Sequence, residues 1–168
     1  MRAFQCEDLK TFTRELFTRE RFDSFLVREA SFVTFCRFSV DGKSERDWYT
    51  EEELEEERVE DYTSWGKLRP VCFQLIRGSR TPLKFQLSFR LPPAESERLA
   101  ESCGITGTAA ETAGFYVNIR FEEGKLRCFT AAALSQFFPD KRAERAWDDR
   151  VREWFQRAGL SMREETGD

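Results

Sequence analysis

Apolar residues along this chain switch repeatedly between a period of three to four and a period of two. Leu9, Phe12, Leu16 and Phe17 recur at i, i+3, i+7 and i+8, the spacing of one helical face, and predict a helix over about residues 7–18 after a short strand at residues 2–5. Residues 22–27 and 32–40 are rich in Phe, Val and Thr and are interrupted by Arg28-Glu29-Ala30-Ser31. They predict a first hairpin, closed at its far end by Asp41-Gly42. A second hairpin is predicted from Val71, Phe73 and Leu75 against Leu83, Phe85, Leu87, Phe89 and Leu91, with Gly78-Ser79-Arg80-Thr81-Pro82 as its loop. Its second strand alternates without error and sends Lys84, Gln86, Ser88 and Arg90 to the opposite face. A third hairpin places Phe115, Val117, Ile119 and Phe121 on one face and Tyr116, Asn118 and Arg120 on the other. It turns through Glu122-Glu123-Gly124-Lys125, with Gly124 at a positive φ, into residues 126–130.

Helix signals separate these hairpins. Thr50 and Glu53 form a capping box, and Tyr49 and Leu54 occupy the positions of a hydrophobic staple. Pro92-Pro93 open a third helix that runs to about Cys103 and stops at Gly104, followed by a connector over residues 104–114. Asp140 is placed to cap a last amphipathic helix with the stripe Trp147, Val151, Trp154 and Phe155, ending before Gly159. The order, helix and hairpin three times over and then a final helix, predicts an α+β fold. Its antiparallel sheet has about six strands from three hairpins, in one domain over residues 1–160, with a frayed tail over 161–168. Helices must cover one sheet face. The other, bearing Lys84, Arg90, Tyr116, Asn118 and Arg120, meets water, a partner or a ligand.

Charge adds an asymmetry to this picture. The net charge is -4 over 168 residues, yet residues 41–61 carry eleven acids against Lys43, Arg46 and Arg58, a net of -8. Residues 66–93 then carry Lys67, Arg69, Arg77, Arg80, Lys84 and Arg90 with no acid, a net of +6. The acidic run has a structural reading as the first turn and solvated face of the second helix. The basic run is the stronger sign of a binding surface. Trp48 and Trp65 flank the acidic helix and are expected to pack its ends; an exposed tryptophan there points to a partner groove.

Several chemistries are excluded. The chain has no histidine, which removes Ser-His, Cys-His and His-metal sites. Its five cysteines are odd in number and widely spaced, so they read as reduced core residues, Cys128 above all, and the cytoplasm is the expected location. No apolar run approaches a membrane span, and no glycine pattern suggests a phosphate loop, so no cofactor is expected. Ser64-Trp65-Gly66-Lys67 matches S-x-x-K, but that motif works where Ser opens a helix, and here it precedes a predicted strand. Asp140, Asp148 and Asp149 read as a cap and helix surface charges, not as metal ligands.

The blocks Phe22-Asp23-Ser24-Phe25-Leu26-Val27, Arg69-Pro70-Val71-Cys72-Phe73, Arg80-Thr81-Pro82-Leu83, Asn118-Ile119-Arg120-Phe121 and Trp147-Asp148 resemble, over nearly the full length, a bacterial single-domain family of unknown function. That resemblance brings no catalytic residue, cofactor or partner. A likeness to the opening of sliding-clamp domains rests on element order alone.

The residues themselves single out Arg77, Ser79, Arg80, Thr81, Lys84, Arg90, Tyr116, Asn118 and Arg120, extended by Arg127, as an anion- or partner-binding set. Three readings follow: a non-catalytic module binding an acidic protein or anionic small molecule, a histidine-independent enzyme acting on a phosphorylated or carboxylated metabolite, and a weak nucleic-acid binder.

Overall fold

The computed structural model describes residues 1–135 and 141–167. The chain runs through β1 (Ala3–Cys6), α1 (Leu9–Thr18), β2 (Leu26–Val33), β3 (Arg37–Asp41), a 3-10 turn (Arg46–Trp48), α2 (Glu51–Glu56), β4 (Thr63–Ser64) and α3 (Trp65–Ile76). It continues through β5 (Lys84–Arg90), α4 (Pro93–Ser102), α5 (Thr108–Glu111), β6 (Gly114–Glu122), β7 (Lys125–Ala133), α6 (Arg142–Arg157) and β8 (Met162–Glu165). The architecture is α+β with an open antiparallel sheet in the order β3-β2-β5-β6-β7-β1-β8, and β4 pairs with β2 off that path.

Alternation along the strands builds the core. Phe32, Phe85 and Phe121 stand in one cross-strand row, and Ala30, Leu87, Ile119, Cys128 and Phe4 in the next. All are buried. The helices close this face with Phe12, Leu16 and Phe17 of α1, Trp65 and Cys72 of α3, and Trp147, Val151 and Phe155 of α6. Phe17 meets Phe85 edge-on at 5.3 Å, and the Trp65 indole N–H donates to the Leu16 carbonyl at 2.8 Å, tying α3 to α1. The predicted capping box of α2 is formed in both directions. Glu123 and Gly124, both at positive φ, make the β6–β7 turn.

Five expectations need correction. Among the described residues the sheet has eight strands, not about six. Residues 71–75 are helical, because Ser64 caps α3 and the stripe Trp65, Leu68, Cys72 and Ile76 faces the core, while Val71 is 57% exposed. Two periods coexisted there, and Pro70, which withholds one helical N–H, disguised the longer one. Residues 77–83 therefore join a helix to a strand and are not a hairpin tip. In the first hairpin, β2 runs straight through residues 28–31 with a bulge between Val27 and Glu29, and the chain reverses at Thr34-Phe35-Cys36. Gly42 lies against this bulge, where a Cβ would sit 1.7 Å from the Val27 carbonyl oxygen, so only glycine fits. The connector at 104–114 contains α5. Part of the tail expected to fray forms β8 on the outer edge of β1. Asp140, expected to cap the last helix, lies outside the described residues.

Candidate functional site

The predicted binding residues lie on two different faces. Lys84, Arg90, Tyr116, Asn118 and Arg120 stand on the open sheet face, where Gln86 is paired with Arg120, Ser88 with Asn118 and Arg90 with Tyr116. A hollow of about 610 Å³ occupies this face, with Ser31, Gln86, Ser88 and Asn118 in its lining. Its charges are mixed: Arg28, Lys43 and Arg120 alternate with Glu29 and Asp41. Several of its cations are already engaged. Arg28 stacks over the Tyr116 ring at 5.0 Å, and Arg120 and Arg127 lie over Phe129 at 5.1 and 4.9 Å. Arg127 also pairs with Glu165, which raises its pKa. Gly114 makes room for the Tyr116 ring, since a Cβ there would lie 2.6 Å from the phenolic oxygen. Arg90 faces Glu45, Asp47 and Asp61 of the acidic segment across a neighbouring hollow, and its buried Nε has no hydrogen-bond partner among the described residues.

Arg77, Ser79, Arg80 and Thr81 belong instead to a groove of about 670 Å³ on the helical side, between α1 and the C-terminal end of α3. Phe17, Phe73, Ile76, Phe85 and Phe121 form its apolar lining. Lys10, Arg14, Arg77 and Arg80 supply four cations, and no acid lines it among the described residues. The side chains of Lys10, Arg77 and Arg80 have no hydrogen bond or ion pair among the described residues, and neither do the backbone N–H groups of residues 78–81. Arg69, counted in the same basic run, is spent elsewhere. Its guanidinium holds Asp23 through two hydrogen bonds at 2.9 and 3.0 Å, and that contact raises its pKa.

Sequence reasoning found the loop half of this groove and missed Lys10 and Arg14. The signal was present, two cations at i and i+4 beside the apolar stripe of α1, but nothing local shows that α1 packs beside α3. Trp48 is 84% exposed, whereas Trp65 is fully buried. Asp148, expected on the surface, is buried and accepts a hydrogen bond from Thr130. Asp149 accepts from Arg2 at 2.9 Å.

Ser64 does open a helix, contrary to expectation, so the S-x-x-K match has its required context. The chemistry still fails on geometry. Ser64 Oγ accepts the Lys67 backbone N–H at 3.4 Å, while Lys67 Nζ lies 2.8 Å from the Tyr49 hydroxyl. That bond raises the lysine pKa and holds the ammonium form, the opposite of what a general base needs. Among the described residues no three Cys, Asp or Glu converge to hold a metal ion, and no helix is long and apolar enough to cross a membrane.

A family described as one of unknown function, DUF5721, matches residues 15–163. The chain belongs to that family. The match spans every element from β2 to α6, whereas β1 and most of α1, with Lys10 and Arg14, lie outside it. No curated protein and no solved structure matches the chain.

Proposed function

We propose that this protein is a non-catalytic binding module whose groove between α1 and α3 holds an acidic amphipathic segment of a partner protein. The observation that carries this reading is an apolar floor ringed by Lys10, Arg14, Arg77 and Arg80, with no acid in its lining among the described residues. Helix-in-groove recognition uses such a surface: residues at i, i+3, i+4 and i+7 enter the floor while flanking carboxylates meet the rim. Burial of the floor supplies affinity, and the rim supplies encounter rate and choice of partner. An enzyme acting on an anionic metabolite is less well supported, because among the described residues the groove has no carboxylate to serve as base. Nucleic acid fits less well again, since a pI near 5.2 and the acidic segment oppose a phosphate backbone. This reading places the protein in the cytoplasm, where its cysteines stay reduced.

The test uses three probes: a labelled synthetic helix with Glu on one face and Leu on the other, its Lys counterpart, and a duplex oligonucleotide. The Glu helix should bind and shift the amide resonances of α1 and of residues 73–82. The variant Arg77→Glu/Arg80→Glu should melt as wild type and bind it at least about tenfold more weakly. Equal binding of the Lys helix, unchanged affinity in the variant, or a preference for the oligonucleotide with steep salt dependence would each overturn the assignment.

A further inference from the structure

A second cavity shares no lining residue with the groove. It measures about 110 Å³ and lies between α6, the ends of β5 and β6, and the segment leading into β2. Its walls are Phe22, Phe25, Phe89, Val117, Val151 and Trp154, with Trp147 and Phe155 behind them. Trp154 meets Phe22 edge-on at 4.8 Å and Phe25 at 5.8 Å, and Phe25 stacks on Phe89 at 5.6 Å. Most of this lining is fully buried, but Phe25 and Trp154 are only partly so and form the wall that reaches solvent. An apolar cavity of roughly 150 Å³ is known to take up benzene. The space here is smaller, about 110 Å³, so a single ring entering it with its substituent left outside must displace the half-buried Phe25 or Trp154.

The exit is polar and specific. Ser24, Glu95, Arg150 and Arg157 line it. Arg150 of α6 donates to Glu95 of α4 at 2.9 Å, across the mouth. The Arg157 side chain has no partner among the described residues. An anion at the mouth would therefore meet Arg157 directly and compete with Glu95 for Arg150, in the planar two-point geometry that guanidinium and carboxylate share. We infer that this cavity is a binding site for a small aromatic carboxylate, its ring among Phe22, Phe25 and Trp154 and its carboxylate between Arg150 and Arg157. Glu95 is then an internal stand-in for the ligand's charge, released when the ligand arrives.

The test is titration of the full chain with phenylacetate, toluene and benzylamine, read by calorimetry and by intrinsic tryptophan fluorescence, to which Trp147 and Trp154 contribute with Trp48 and Trp65. Phenylacetate should bind saturably and at least about tenfold more tightly than benzylamine. Glu95→Gln should tighten phenylacetate by freeing Arg150, and Arg150→Gln should weaken it, while toluene is indifferent to both. These half-exposed positions leave the core intact, and unchanged melting of each variant confirms it. Arg77→Glu/Arg80→Glu should bind phenylacetate as wild type does, which keeps this site's failure separate from the groove's. Benzylamine binding as tightly as phenylacetate, or no saturable response to any of the three, overturns the inference. Toluene binding without phenylacetate overturns it too, and leaves only a packing void.

Discussion

At the scale of single residues, the cysteines divide by burial. Cys72 and Cys128 are fully buried, and burial pushes the Cys72 thiol up to about 12 and the Cys128 thiol well above its ordinary value. The folded state keeps these protons while the unfolded chain releases them near 9.0. Their contribution to stability is thus complete below about pH 9 and is lost as pH rises beyond it, by about 1.4 kcal/mol per thiol per pH unit until the folded-state value is reached. Melting temperature should fall more steeply above about pH 9 in the wild type than in Cys72→Ala, which keeps only the Cys128 contribution; equal slopes would show that the Cys72 thiol does not contribute to it. Cys36, exposed at the β2–β3 turn, should react with a thiol reagent in the folded protein while Cys72 and Cys128 wait for unfolding. The core role of Cys128 was readable from its phase with Leu126. That of Gly42 was not, because the carbonyl it must avoid belongs to a bulge fifteen residues earlier.

At the scale of elements, the tail offers the clearest test. Deleting residues 161–168 removes β8 with its ladder to β1, the Ser161 carbonyl that accepts from Glu7 N–H, and the Arg127–Glu165 pair. It also leaves β1 as a naked edge. Melting should drop by about 5 °C or more, equivalent to ~2 kcal/mol in a chain of this size, with greater aggregation; an unchanged melt would mean that the strand contributes nothing. The sequence could not announce β8, since Met162 is its one apolar residue and its support is non-local, from Arg2, Arg127 and Arg152. Where local chemistry suffices, sequence and structure agree: the Thr50–Glu53 box, the Glu123-Gly124 turn and the alternation of β5. Segment 65–76 shows the limit. It satisfied a strand pattern and a helix pattern at once, and the Ser64 cap together with packing against Leu16 and Phe17 chooses between them.

The whole molecule is polarised along α3. At the N-terminal end of that helix, Lys67 holds Tyr49 and with it the acidic segment that presents Trp48. At the other end Ile76 and Arg77 open the basic groove. Twelve residues separate the two ends, about 18 Å of helix, more than a Debye length at 0.1 M salt. The charge runs were legible in the sequence, but the splitting of the basic one was not: Lys67 and Arg90 lie beside the acidic segment, and Arg77 and Arg80 at the far end of α3. One copy's acidic segment, with the exposed Trp48 beside its carboxylates, carries the acidic and apolar groups proposed for the groove's partner. Sedimentation at low salt should therefore show concentration-dependent association that disappears in about 0.5 M salt, and salt-insensitive monomers would argue against it. The protein would then carry its own antagonist: dilution, by dissolving neighbours' contacts, would raise the share of molecules free to take a guest.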